Sequence, residues 1–313
     1  MIGAGVFAAF TPAAQAAGAG MLVGLVVAAI VAFCNAAASA QLAAVYPASG
    51  GTYVYGRERL GPWWGFLAGW SFVIGKTASC AAMALTFAAY AAPTGWEKPV
   101  AAAAVVGLAA VNYRGITRTA LLTRVIVVIA LIALTVVVAA GSSTALPALD
   151  LVEPSTWLAG GWYGILQSAG LLFFAFAGYA RIATMGEEVR RPERTIPRAI
   201  LLALTLTVLV YGVIAVVILG ALGPAGVANS PTPLFDTLFV AGWDGAAPLV
   251  RFGAAAASLG ALLALIAGIG RTSLAMARVG DLPRWLAAVH PRFKVPHRAE
   301  VVLVGVVVVL VLT

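Results

Sequence analysis

Residues 21–45 read MLVGLVVAAIVAFCNAAASAQLAAV, without one charged side chain in the stretch. A bilayer crossing takes about 20 apolar residues, whereas a soluble helix of this length would need a polar face toward water. The run therefore reads as a membrane span and sets the yardstick for the rest of the chain. By that measure further spans fall at 63–91, 98–113, 120–140, 161–185, 198–220 and 247–270. The apolar runs at 1–17 and 299–313 are too short to cross and read as cut helices. The expectation is an all-α membrane protein in one polytopic domain, 1–313, truncated to about nine helices, lacking part of the first and whatever follows the ninth.

Composition agrees with lipid as the main solvent. Hydrophobic residues make up 62% of the 313 and charged residues 10%, with a mean hydropathy of +1.02, against about a quarter charged in a soluble domain. The net charge of +8 does not imply nucleic acid, because the basic residues lie in short loops and not on one patch. Alternate loops differ in charge: one set carries Arg57, Arg59, Arg114, Arg118, Arg190 to Arg198 and Arg271 to Arg298, the other only Lys98 and Arg251. An excess of Lys and Arg marks the cytoplasmic side, so the Arg-rich loops are expected in the cytoplasm of a cell-membrane protein. Cys34 and Cys80 sit in apolar runs and are expected as free thiols. His290 and His297 lie apart from any ligand set, which leaves a metal without support. No nucleotide-binding glycine loop is present, and no cofactor is expected.

Two runs are interrupted by glycine at membrane depth. The first reads Met1-Ile2-Gly3-Ala4-Gly5-Val6-Phe7, the sixth Phe173-Phe174-Ala175-Phe176-Ala177-Gly178-Tyr179. Five helices separate corresponding positions, and an odd repeat turns the second copy upside down, so 1–140 is expected as a first repeat and 161–313 as an incomplete second. Interrupted helices in matching positions point to a substrate site near the midplane. Gly3 and Gly5 permit an unwound stretch whose free N–H groups can hold a carboxylate. The aromatics Phe174, Phe176 and Tyr179 around Gly178 can cap a cavity, while carbonyls freed by the break receive an ammonium group.

Lys76 lies well inside the 63–91 span, where a cation costs about 2.5–3.5 kcal/mol on insertion scales. It is read either as a substitute for a coupling cation, by toggling its proton or as a fixed charge, or as a packing residue bonded to carbonyls of a broken helix. Arg124 and Arg181 lie nearer the span ends and are expected to snorkel. No Asp or Glu falls deep in a span, which favours neutral substrates. Glu187 and Glu188, preceding Arg194, form a charge cluster that could latch an inner gate.

Four stretches, in order, resemble the amino acid-polyamine-organocation permease superfamily. Gly3-Ala4-Gly5-Val6-Phe7 is similar to its Gly-x-Gly-Ile-Phe, and Tyr46 to Tyr53, continuing through Gly61 to Gly69-Trp70, looks like the signature after its second helix. Phe173 to Gly178 is followed by Glu187-Glu188-Val189, Pro192, Arg194 and Ile196-Pro197; the last stretch runs from Gly270-Arg271-Thr272 through Asp281-Leu282-Pro283 to His290-Pro291-Arg292-Phe293. The resemblance implies a LeuT-type inverted five-plus-five helix fold with broken first and sixth helices. It implies that Gly3, Ala4 and Gly5 meet a substrate carboxylate and that carbonyls near Phe173 to Phe176, before the break at Ala177 and Gly178, meet its amine. Phe174 takes the place of the gating aromatic. Two departures stand out: Ala130 occupies the fifth-helix position where proton-coupled relatives often carry lysine, and Ala180 and Arg181 stand where relatives often carry an acid. The implied function is secondary transport of an amino acid by alternating access, without covalent chemistry, neutral in preference to cationic. A proton or a counter-substrate would drive it. The rivals are a basic amino acid or polyamine exchanger and, in another class, a non-transporting amino-acid sensor. An intramembrane enzyme would need paired titratable groups in the spans.

Overall fold

The computed structural model describes residues 2–46, 50–113, 119–144, 157–158, 160–182, 189 and 191–313, with the side chains of 119–123 and 181 outside that description. The chain opens on α1 (Ala4–Ala8) and α2 (Phe10–Ala17), joined by the continuing bonds from Ala9 N to Gly5 O and from Ala13 N to Ala9 O. A turn through Gly18, whose φ of 56° no side chain adopts readily, reverses the chain into α3 (Met21–Val45). Then come the short α4 (Thr52–Leu60), α5 (Pro62–Ala91), α6 (Glu97–Tyr113) and α7 (Thr119–Thr144). The 161–185 run forms α8 (Gly161–Phe176) and α9 (Tyr179–Ile182), separated by a break at Ala177 and Gly178. After them follow α10 (Pro192–Asn229), kinked at Gly223-Pro224, the short α11 (Pro233–Val240), α12 (Ala247–Val279) and α13 (His297–Leu312).

Among the described residues, five stretches are long and apolar enough to cross a membrane: Phe10–Val45, Pro62–Ala91, Arg124–Thr144, Pro192–Asn229 and Asp244–Val279. The first of these turns at Gly18, so its crossing is α3. With 17 and 16 residues, α6 and α8 rise only about 25 Å, just under a hydrocarbon core of about 30 Å. The side-chain pattern explains how such helices cohere in lipid. On α3, Ala28, Ala32, Ala36 and Ala40 repeat every four residues and are buried, while Val26, Ile30 and Phe33 are more than half exposed. Lipid tails are as apolar as Leu, so association relies on small residues that let backbones approach, and the bulky side chains are left to the lipid.

Two groups of helices result. One packs α2, α3, α8 and α10 together; the other packs α5, α6, α12 and α13; α7 lies against both α10 and α12. The apolar interior divides into two clusters, the first of which also takes in Val250, Ala254 and Ala257 of α12. The first runs from Phe7 and Phe10 through Leu172 and Phe176 to Tyr211 and Ile214, the second from Cys80 and Ala84 through Val105 and Ile266 to Leu303 and Val307.

Loop contacts sort to opposite ends of the bundle. At one end Thr11 Oγ1 donates to Ser230 O (2.7 Å) and Gln15 Nε2 to Ala228 O (2.8 Å), tying α2 to the turn before α11. At the other, Arg-rich end, α12 stops at Gly280 (φ 93°) with bonds from Gly280 N to Ala277 O and from Asp281 N to Met276 O, the Schellman pattern. That stop aims Asp281 at α4, where it accepts hydrogen bonds from Tyr53 (2.8 Å) and Arg57 (2.9 Å). Burial first, and the bond to Asp281 second, push the Tyr53 phenol up to about 12, so it remains a donor at any physiological pH.

Candidate substrate-binding site

The two interrupted helices meet. Gly3 is extended (φ −164°, ψ −153°) and starts α1 without a side-chain cap, which leaves the first amides of the helix without intrahelical partners. A β-carbon on Gly5 would lie 2.7 Å from the α-carbon of Ala175 and 2.8 Å from its β-carbon, so α1 and the end of α8 approach more closely than any other residue allows. A β-carbon on Gly3 would lie 2.9 Å from that of Ala261 on α12.

Between these backbones is a cavity of about 160 Å³ on the seam between the two helix groups. From the broken helices it is lined by Gly3, Ala4, Gly5, Phe174, Ala175 and Gly178, with Ile182 beyond the break. From the other group come Lys76, Ser79 and Met83 on α5 and a small-residue face of α12 (Ala257, Gly260, Ala261, Ala264), with Ile126 and Val127 of α7 closing the side. An apolar cavity of about 150 Å³ holds a benzene molecule, so this one suits a ligand of roughly six to nine heavy atoms.

Lys76 is half-buried, and its Nζ donates to the carbonyl of Ala177 (3.2 Å), an oxygen exposed by the break between α8 and α9. The other carbonyls around the break are in part engaged: Ala175 O accepts from the Tyr211 hydroxyl (3.4 Å) and Phe174 O from Ala177 N (3.3 Å). Among the described residues, no carboxylate lines the cavity. Tyr90 donates to Phe7 O (3.3 Å) and meets the Phe7 ring edge-on, fixing α1 against α5 on the side away from the Arg-rich end.

Of the residues singled out from sequence, Gly3, Ala4, Gly5, Phe174, Gly178 and Lys76 thus share one cavity. Phe173 and Phe176 do not line it. Phe173 is half-buried against the first apolar interior, and Phe176 is fully buried with its ring 5.3 Å from that of Tyr211. Ala177 contributes its carbonyl to Lys76 rather than a surface to the cavity. Arg194 is exposed at the start of α10, and Glu187 and Glu188 lie outside the described residues.

Sequence reasoning passed over Ser79, Met83 and the α12 face, although Ala257, Gly260, Ala261 and Ala264 follow a helical i, i+3, i+4, i+7 spacing. That spacing is legible, but it reads equally as helix packing. Cys34 and Cys80 are free, and among the described residues no cluster of His, Cys, Asp and Glu could hold a metal.

Over residues 1–313 the sequence matches the amino acid permease family. The chain belongs to that family. An uncharacterized transporter of Mycobacterium tuberculosis is 61% identical over 317 residues, covering 100% of this chain and 70% of the relative. The methylthioribose transporter of Bacillus subtilis is 30% identical, covering 95% of this chain and 68% of the relative. The branched-chain amino acid permease BcaP of the same organism is 25% identical, covering 96% and 68%. As an amino acid permease, the chain is a multi-pass helical membrane transporter, and the helices and cavity described above are to be read in that setting.

Proposed function

We propose that this permease carries a small neutral α-amino acid by alternating access, with the substrate held where α1 begins and α8 breaks. The observation that carries the proposal is the convergence of both interruptions on one cavity of about 160 Å³. In this reading the free amides at Gly3, Ala4 and Gly5 receive the carboxylate, and the carbonyl face at the α8 break receives the ammonium group. Met83, Ile126, Val127 and Leu265 surround the side chain. A lysine in the cavity wall and no acid among the described residues that line it disfavour a cationic side chain or a polyamine. The division of the apolar interior into two clusters, bridged through α12, supports rocking of one group against the other around the site, as expected of an inverted five-plus-five fold.

Lys76 acts in this scheme as a fixed charge in place of a coupling cation, pinning α5 to the break in the sixth helix through Ala177 O. The Arg-rich end faces the cytoplasm. Uptake of a labelled neutral amino acid, challenged with unlabelled amino acids and polyamines with and without sodium, tests the substrate class. Competition by small neutral amino acids is expected. Competition by polyamines or basic amino acids alone would overturn the reading.

A further inference from the structure

The second helix group buries a carboxyl group outside the central cavity. Glu300, in the first turn of α13, is 3% exposed, and its Oε1 accepts a hydrogen bond from Asn112 Nδ2 of α6 (2.8 Å); Asn112 is itself 2% exposed. Each side chain has a second oxygen, Oε2 of Glu300 and Oδ1 of Asn112, that is buried with no hydrogen-bond partner among the described residues. An unpaired buried acceptor is destabilising, and here two acceptors sit on side chains already joined to each other. Two acceptors cannot bond, but one added proton changes that. A carboxylic acid and a primary amide form a cyclic pair in which the amide N–H donates to one carboxyl oxygen and the acid O–H donates to the amide oxygen.

We propose that Glu300 and Asn112 form a proton-binding site, in which a proton taken from water joins Glu300 Oε2 and is shared with Asn112 Oδ1. Proton loss returns it to water and restores the carboxylate, which then faces the opposite charge of Arg271 on α12. The Asn112 N–H stays on Oε1 in both states, so the two states differ in whether Asn112 Oδ1 is bonded and in the pull of Arg271 on Glu300.

The surroundings suit such a switch. Gly270, next to Arg271, brings α12 so close that a β-carbon there would lie 3.2 Å from Glu300 Cγ. On α13 itself His297 stands one turn earlier, its ring packed against those of Tyr113 (6.3 Å) and His290 (5.5 Å). From α5, the element also packed on α13, the second apolar interior takes Cys80, Ala81, Ala84 and Ala88, and Lys76 is committed to the central cavity. A groove between α6 and α13, lined by Tyr113, Phe293 and Glu300 among apolar residues, reaches the Glu300 side chain. Less than two turns separate Arg271 from Leu265 at the substrate cavity, so the switch acts on the helix that forms one wall of it.

Infrared difference spectra of the membrane-reconstituted protein, recorded from mildly acid to mildly alkaline pH, test the proposal without a transport assay. The expected result is a carboxylic-acid C=O band that titrates, vanishes in Glu300→Gln, and moves to higher frequency in Asn112→Val, where the amide donor to Oε1 is gone. Uptake in Glu300→Gln, a same-shaped side chain that cannot ionise, is expected to lose the wild-type pH dependence. Carboxylate bands that do not change with pH, an acid band that survives in Glu300→Gln, or an unaltered pH profile of uptake in that variant would each overturn it.

Discussion

Gly5→Ala puts a methyl group where α1 has no room for one. The added carbon falls 2.7 Å from the α-carbon and 2.8 Å from the β-carbon of Ala175, and 3.5 Å from its carbonyl oxygen. Ordinary contact begins near 3.4 Å, so α1 and α8 must separate by several tenths of an ångström at the point where the proposed substrate carboxylate is held. Rotation of a flexible side chain cannot relieve the clash, because one obstructing atom is backbone. Overpacking of this kind costs about 1–3 kcal/mol. If that penalty falls on the substrate-bound state, where the helices close on the ligand, affinity drops roughly 5- to 150-fold.

The assay is uptake of a labelled neutral amino acid, with KM and surface expression measured together. Gly75→Ala is the control, since a β-carbon there meets nothing within 4 Å. Ala175→Gly in the Gly5→Ala background removes the 2.8 Å clash but leaves the one with the α-carbon, so rescue should be partial. Wild-type KM and rate in Gly5→Ala would refute the close-approach argument.

Lys76→Met relieves the cost of a membrane cation, about 2.5–3.5 kcal/mol, and loses a charge-assisted bond worth about 1.5–3 kcal/mol. Insertion and thermal stability should therefore change little while uptake falls at every pH; unchanged uptake would remove Lys76 from the mechanism. Ala264→Leu fills part of the cavity from α12 and should raise KM for branched substrates more than for alanine or glycine, measured by competition; an equal rise for all would mean that this wall does not read the side chain. Asp281→Ala leaves the buried Tyr53 hydroxyl unpaired and Arg57 without its partner. It should lower the unfolding temperature, at a cost of about 1–3 kcal/mol, and Tyr53→Phe should cost less, both followed by thermal denaturation in detergent.

Much of this architecture was legible in the order of residues. Charge-free runs mark the spans because lipid leaves no other use for them, and the break at Ala177 and Gly178 falls within the stretch picked out by its glycine. Gly3, Gly5, Phe174 and Lys76 were recoverable because broken helices and intramembrane cations are costly features that packing alone rarely demands. Phe176 was not separable from Phe174 by pattern: two residues apart on one helix, they point to different sides, one to the cavity and one to Tyr211. Glu300 escaped notice for a different reason. At the edge of a valine-rich run it reads as an interfacial residue, and only the packing of α13 on α6 and α12 buries it. Asn112 likewise gains its meaning from a partner 188 residues away.

The proposed function requires the cavity between α1 and α8 to move its ligand across the bilayer rather than merely bind it. Counterflow in proteoliposomes measures that directly. Vesicles preloaded with an unlabelled small neutral amino acid should transiently accumulate the labelled one, unloaded vesicles should not, and Gly5→Ala should depress the peak. Saturable binding of the labelled amino acid with no accumulation in preloaded vesicles would contradict the account and leave a sensor in its place.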